Sequence, residues 1–383
     1  VSRSTPDLII VGGGLIGCSV GWELARQGLE VRIVEEGVPG RGASGAAAGM
    51  LSPEPLGPEP GPLFALTSAS FDLYPEFVER VREVTGIDPG YRDEGKLYLA
   101  TDEEGAREFR DSAGWMREHG HEVEWLDDDE VRRLEPAVGA ETLGALYDPR
   151  DHQIGNRRLT RAVWQAAAGA GVEFHLGQRV TSLISNGKRV RGVRVAGGDE
   201  VEGGAVLIAA GSWSGLIDGL PAPLPVRPVR GEIIVLEGAP RLLERVIAIG
   251  STYIVPRDDG RVIIGATSEE VGFREGPIAG GVTRLLDSAL TYLPSLESLT
   301  VAGFRTGFRP GTPDSLPILG RDPEIEGLYY ATGHYRDGIL LAPISAHLLA
   351  GTITDGTEPP ILRSFSAERF RRARDGSQVT APL

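Results

Sequence analysis

The chain has 383 residues, 41% apolar and 24% charged, with a formal net charge of −15. That length exceeds one small core and suits two intertwined domains of a globular protein. The acidic balance, with no basic stripe, excludes nucleic acid and acidic membranes as natural partners, so an anionic substrate would have to be met by locally clustered arginines.

The lone cysteine, Cys18, excludes an intrachain disulfide and a cysteine-rich metal site, and fits a cytoplasmic setting. No run approaches the ~20 apolar residues of a membrane span. Residues 8–11 pass straight into glycines and do not read as a signal peptide. His119 and His121 flank Gly120 among acids and read as a solvated pair, and no metal site is expected.

Residues 7–11 (DLIIV) form an apolar run ending in glycines, the pattern of a buried parallel strand. Residues 15–27 have helical periodicity and stop at Gly28. Residues 29–35 (LEVRIVE) read as the next strand, which completes a βαβ unit. At its first turn Gly12 permits the bend, Gly14 lets the backbone approach a pyrophosphate, and Gly17 lets helix and strand pack closely. Leu15 and Ile16 open a helix whose N-terminal pole favours that anion. Glu35 ends the second strand where a ribose hydroxyl needs an acceptor; it would repel a 2′-phosphate, so FAD or NAD is favoured over NADP.

Residues 41–50 (RGASGAAAGM) are small. They suit a backbone that passes close to a flat, bulky ring, which favours FAD, or simply a flexible loop. Met50 either walls a pocket or fills space. Residues 53–62 hold alternate prolines and read as a loop, either an inert connection or the rim of a site.

Helices are expected at 64–84, 103–119, 127–134, 156–170 and 281–293, with strands at 96–100, 121–125 and 172–174. Residues 178–195 read as a hairpin turning at Asn186-Gly187, and 205–209 as a buried strand leading to Gly211. From 228 to 266 the segments are short and β-rich, the mark of an antiparallel sheet. Arg309 and Arg336 then fall in Gly-rich loops. The second loop opens an apolar helix at Asp337 and Gly338 that runs to Ala350 and turns its positive pole toward a reduced flavin. The tail after 374 is polar and reads as frayed.

The fold class expected is α/β with an α+β second domain. A Rossmann-like FAD-binding domain (1–92, 143–225 and 303–383) is interrupted by an antiparallel-sheet substrate domain (93–142 and 226–302). Arg309 is the candidate clamp for a substrate carboxylate, since its guanidinium offers a bidentate fork within a Gly307/Pro310/Gly311 frame.

The stretches LIIVGGGLIG, RGASGAAAGM, TYIVPR, GFRPGTPDSLPILG and GHYRDGILLAP together resemble the D-amino-acid-oxidase family of flavoproteins, nearly end to end. The C-terminal motifs are much more specific than the glycine loop. The resemblance implies non-covalent FAD, a homotetramer, and oxidative deamination of glycine, with sarcosine and small D-amino acids as poorer substrates. It implies O2 as acceptor, H2O2 as product, and an imine that hydrolyses or feeds thiazole synthesis. A D-amino-acid dehydrogenase using another acceptor is the alternative. The covalent flavin tether of related sarcosine oxidases is closed here, because Cys18 lies in the N-terminal helix.

By the same resemblance Tyr253 shares the carboxylate with Arg309, and Arg336 is either a second cation there or a partner for Asp337. The cofactor set is then Gly12, Gly14, Leu15, Ile16, Gly17, Glu35, Ala43, Ser44, Ala47, Ala48, Gly49, Met50, Val180, Gly211, Trp213, Gly307, Arg309, His334, Arg336, Asp337, Gly338, Ile339 and Leu340. His334 is assigned to flavin contact, not to base catalysis. Asp337 departs from the family's frequent Asn, and a carboxylate there would bear on flavin potential and substrate entry.

Overall fold

The apolar run at the N-terminus becomes strand Leu8–Val11, wholly buried. It pairs in parallel with Val31–Glu35 on one side and Ala205–Ile208 on the other. The computed structural model of the chain describes residues 5–53, 61–118, 120–238 and 242–372; most of the proline-rich stretch, His119 and the tail lie outside these. The first sheet has six strands, in the order Ile318–Arg321, Leu328–Thr332, Ala205–Ile208, Leu8–Val11, Val31–Glu35, Glu173–Leu176. All neighbours are parallel except the outermost pair, Ile318–Arg321 with Leu328–Thr332.

On one face of this sheet lies helix Leu15–Arg26, packed with helices Pro62–Thr85, Asn156–Gly169 and Ala342–Asp355 around one apolar core. Covering both faces explains why the strands carry continuous apolar runs and not alternation. The other face packs on a smaller sheet of Val180–Ser185, Val190–Val195 and Glu200–Glu202. Its hairpin turns where expected: the Asn186 carboxamide oxygen accepts from the Lys188 and Arg189 N–H groups at 3.0 and 2.8 Å, and Gly187 takes φ 83°.

The second large sheet has eight strands, in the order Thr300–Gly311, Arg227–Glu237, Arg261–Gly265, Thr252–Pro256, Val246–Ile249, Lys96–Leu99, Ala145–Asp148, Glu124–Leu126. It is antiparallel except where Val246–Ile249 meets Lys96–Leu99. One face buries Ile234, Leu236, Ile254 and Ile264 beneath helix Ala279–Tyr292. The other presents Ile233, Tyr253, Val255 and Ile263 to Ala48 and Met50 of the small-residue run. Strands Ala145–Asp148 and Thr300–Gly311 belong to this sheet, although the expected division places most of their residues with the other domain. Periodicity cannot assign a short strand to one of two sheets, because the choice depends on its lateral partners.

Two expectations of local structure are corrected. Arg309 does not sit in a loop: residues Thr300–Gly311 form a strand of 12 residues. Its glycines read as loop signals, yet Gly307 serves a close crossing, since a Cβ there would stand 2.4 Å from the Ala46 Cβ. The last helix begins at Ala342 and not at Asp337. Pro343 lacks an N–H and so favours the first turn, and residues 333–341 remain a chain of turns in front of it. Among the described residues no helix is long and apolar enough to cross a membrane, and no His/Cys/Asp/Glu cluster could hold a metal.

The crossing yields a test. Gly307→Val should destabilise the fold by about 1–3 kcal/mol through overpacking. Gly351→Ala, in an open helical position, should stabilise it by about 0.5–1 kcal/mol. Urea unfolding midpoints of the two variants check both signs.

Candidate active site

The cofactor cradle is assembled from turns with no room for side chains. Gly12 takes φ 107°, and a Cβ there would lie 2.5 Å from the Ala209 carbonyl oxygen; one at Gly17 would lie 2.1 Å from the oxygen of Gly12. Helix Leu15–Arg26 has no side-chain cap and no acid in its first turn, which leaves its positive pole for a pyrophosphate. The Leu15 N–H donates to Ser44 Oγ at 3.0 Å, and Asn156 donates to the Ser44 carbonyl at 2.6 Å. These bonds bind the small-residue run, which begins as the short helix Ala43–Ala46, to the glycine turn. Glu35 accepts from the Gly13 N–H at 2.7 Å and the Gly37 N–H at 2.8 Å. Each oxygen keeps a lone pair for a ribose hydroxyl. The donors, the acceptor and the stripped backbone fit the ADP half of FAD.

Three segments expected at the flavin end can now be placed. Ala48 and Met50 pack on the face of the second sheet in one cluster with Tyr253, while Ala47 packs against the core of the first. Gly49 takes φ 75°, and a Cβ there would lie 2.0 Å from the Ile154 carbonyl oxygen. Arg257 staples this run by donating to the Ala48 and Ile154 carbonyls. Gly211 and Trp213 occupy the 3-10 helix Gly211–Leu216. Its Ser212 donates to the Phe308 carbonyl at 2.9 Å, and Thr332 donates to the Gly211 carbonyl at 3.1 Å. The turns from His334 to Leu340, including Gly338 and Ile339, are anchored by helix Pro62–Thr85: Ser70 and Tyr74 donate to the Leu340 and Ile339 carbonyls. Ile16 and Val180 pack into apolar clusters beside the cradle.

Arg309 lies over Gly231, where a Cβ would come within 2.7 Å of three guanidinium atoms. It donates to the Thr267 carbonyl at 3.0 Å and to the Arg230 carbonyl at 3.5 Å, and its charge faces the Tyr253 hydroxyl. Among the described residues no carboxylate pairs with it. Burial pushes the Tyr253 phenol up, and the charges of Arg309, Arg336 and Arg257 oppose this without cancelling it. Tyr253 therefore stays a protonated donor at neutral pH. Arg336 is exposed and stands 5.1 Å from the Tyr335 ring centroid.

Several participants escaped the sequence. Tyr335 carries no sequence signal of a role. It holds φ 47° beside Ser268, Arg336 and the Arg309 charge; burial would raise its phenol, yet these neighbours hold it below the ordinary range. Behind Arg309, Arg230 is fully buried and pairs with Glu269 at 2.5 Å and Glu232 at 3.0 Å. Only strand register brings these groups together. The positive φ at Tyr335 has no marker in a sequence, because a non-glycine residue gives no sign of it.

His334 is buried, and its Nε2 is 3.1 Å from Ser345 Oγ. Burial drives its imidazole down to about 3, so it is neutral and no base at working pH.

A glycine-turn cradle for a dinucleotide, joined across one loop to a cationic pocket on an antiparallel sheet, defines a flavin-dependent oxidoreductase of the two-domain kind. The chain belongs to the family described as "DAO: FAD dependent oxidoreductase", whose model matches residues 7–352. FAD is accordingly its cofactor. It is 39% identical over 366 residues to glycine oxidase of Geobacillus kaustophilus, covering 95% of this chain and 97% of that protein. The crystal structure of glycine oxidase from that organism superposes with TM-score 0.89 at 37% identity, over 95% of this chain and 98% of that one. The bifunctional protein ThiO/ThiG of Synechocystis is 36% identical over 375 residues, covering 96% of this chain but only 54% of that protein, so the chain spans about half the length of such relatives.

The buried imidazole makes a pH prediction. A folded pKa far below the ordinary 6.5 means that the unfolded chain binds the extra proton first, so this contribution to stability is complete above 6.5 and is lost as pH falls toward 3. His334→Gln should flatten the loss of stability between pH 7 and 5, read from urea midpoints of both proteins.

Proposed function

We propose that the chain catalyses FAD-dependent oxidation of glycine, with sarcosine and small D-amino acids as poorer substrates, passing the electrons to O2 to give H2O2. The observation that carries this reading is Arg309: a half-buried guanidinium with carbonyl and phenol partners, no acid of its own, and the small-residue run beside it. A cation held this way meets a carboxylate brought in by substrate through a charge-assisted bidentate contact.

Bound FAD supplies the two-electron acceptor. The chain's own residues supply position. Arg309 and the Tyr253 hydroxyl hold the carboxylate, and Gly231 and Gly265 leave space for them beside the sheet. Ala48 and Met50 limit the room for a substrate side chain, which favours glycine. No base is assigned, since His334 is neutral and turned to Ser345; orientation of the amine carries the step.

The two-domain division and the cofactor contacts named above, Asp337 among them, are part of this proposal. So are a cytoplasmic setting and a homotetramer, the latter on resemblance alone. Likeness to ThiO/ThiG supports thiazole synthesis as the outlet for the imine.

Adding glycine anaerobically to the yellow protein should bleach the visible flavin band, and air should restore it with peroxide. An unchanged spectrum would remove glycine as substrate. Arg309→Leu should raise KM roughly 10- to 100-fold, the loss of one charge-assisted contact, with flavin content unchanged. Steady-state kinetics alongside the absorbance ratio of bound flavin check this, and an unaltered KM would take Arg309 out of the site.

A further inference from the structure

Between the first turn of helix Asn156–Gly169 and the end of strand Thr252–Pro256 lies a shallow open cleft of about 50 Å³. Its walls carry six arginines (Arg92, Arg157, Arg158, Arg257, Arg261 and Arg305) against two acids, Asp258 and Asp259. On a chain with net charge −15 this concentration is not explained by composition.

The acids are already engaged. Asp258 pairs with Arg92 at 3.3 Å, and Asp259 with Arg158 at 3.4 Å and with Arg261. Among the described residues Arg157, Arg257 and Arg305 have no carboxylate partner. Arg257 donates only to neutral groups, Gln153, Ile154 and Ala48. Arg92, 6% exposed, is also met by Glu94 at 2.8 Å and Glu244 at 3.6 Å, so it forms the cleft wall and is not among the free cations. The helix adds to the imbalance: it has no side-chain cap, no acid in its first turn, and Arg157 and Arg158 there instead. Cations at a helix N-terminus oppose the dipole, and an anion bound there would reverse that. The crowding is reflected in Arg257, driven down to about 10 by burial and then by Arg305, with Asp259 opposing and Arg261 and Arg92 adding. Arg305 is lowered by burial, Arg157 and Arg261, again against the pull of Asp259.

We propose that this cleft is a second anion site, and that it binds a small phosphorylated ligand with two or more negative charges, such as a phosphate monoester or pyrophosphate. Guanidinium forks converging from several directions match a tetrahedral oxyanion better than one carboxylate. The site is separate from the substrate pocket. Arg305 and Arg309 lie on one strand face, about 13 Å apart at the usual rise, and Ala46 crosses at Gly307 between them. The inference does not depend on which amine is oxidised.

The test uses the FAD-loaded full chain, so that the dinucleotide cradle is already filled. Pyrophosphate is titrated by calorimetry and by thermal unfolding at constant ionic strength, with sodium chloride as the matched control. The expected result is saturable binding with a rise in Tm. The Arg157→Ala/Arg305→Ala double variant should bind roughly 100-fold more weakly, about tenfold per arginine. Arg189→Ala, outside the cleft and paired with Glu326, should bind as the parent does. Flavin absorbance verifies that each variant is folded. Should the double variant lose flavin, Arg157→Ala alone carries the comparison, its side chain being exposed. A response equal to that of chloride, or undiminished binding by a folded variant lacking these arginines, would overturn the site.

Discussion

The arrangement of this molecule depends on one close crossing. The small-residue run passes over strand Thr300–Gly311 at Gly307, where Ala46 leaves no room for a further methyl. The crossing sets the distance between a dinucleotide cradle on one sheet and a cationic pocket on another. Packing at interior density transmits any added volume directly to that distance. Gly307 lies between Arg305 and Arg309 on one strand face, so the same contact divides that face into two cationic regions.

Those regions show how an acidic chain manages its arginines. Arg230 is neutralised internally by Glu269 and Glu232 and is shut away from water. A buried cluster of this kind is costly to break, about 3–5 kcal/mol when one partner is removed. It holds strand Arg227–Glu237 against the segment bearing Thr267 and Ser268. Arg257 spends its donors on backbone carbonyls and so acts as a staple for the cofactor loop. Arg309 is given carbonyls and a phenol but no acid. The same side chain therefore serves as scaffold or staple where the fold supplies its partners, and Arg309 is left with a charge that the fold does not pair.

The tyrosines at the pocket are divided in a comparable way. Tyr253 lies among apolar strands and remains a phenol despite three neighbouring cations. Tyr335, held at φ 47° by the turn that donates to the Pro310 carbonyl at 3.1 Å, is tuned in the opposite direction by Ser268, Arg336 and Arg309. The loop that carries it is not the start of a helix. It is a run of turns pinned by Ser70 and Tyr74, so the pocket's far wall depends on helix Pro62–Thr85.

Local rules sufficed for the βαβ unit, its glycine turn, Glu35 at the end of the second strand and the Asn186-Gly187 hairpin, because each depends on a residue and its near neighbours. The sequence by itself thus determined the cofactor class and named Arg309 as the cation proposed to meet a carboxylate. Four things came only from the tertiary structure: Arg309 on a strand, helix Ala342–Asp355 beginning beyond its loop, the buried Arg230 cluster, and the convergence of Arg92, Arg157, Arg257 and Arg305 on one cleft. The reason is physical. A glycine reads alike whether it turns the chain or admits a crossing backbone, and charges far apart in sequence acquire their partners only when strand register and helix packing bring them within a few ångströms.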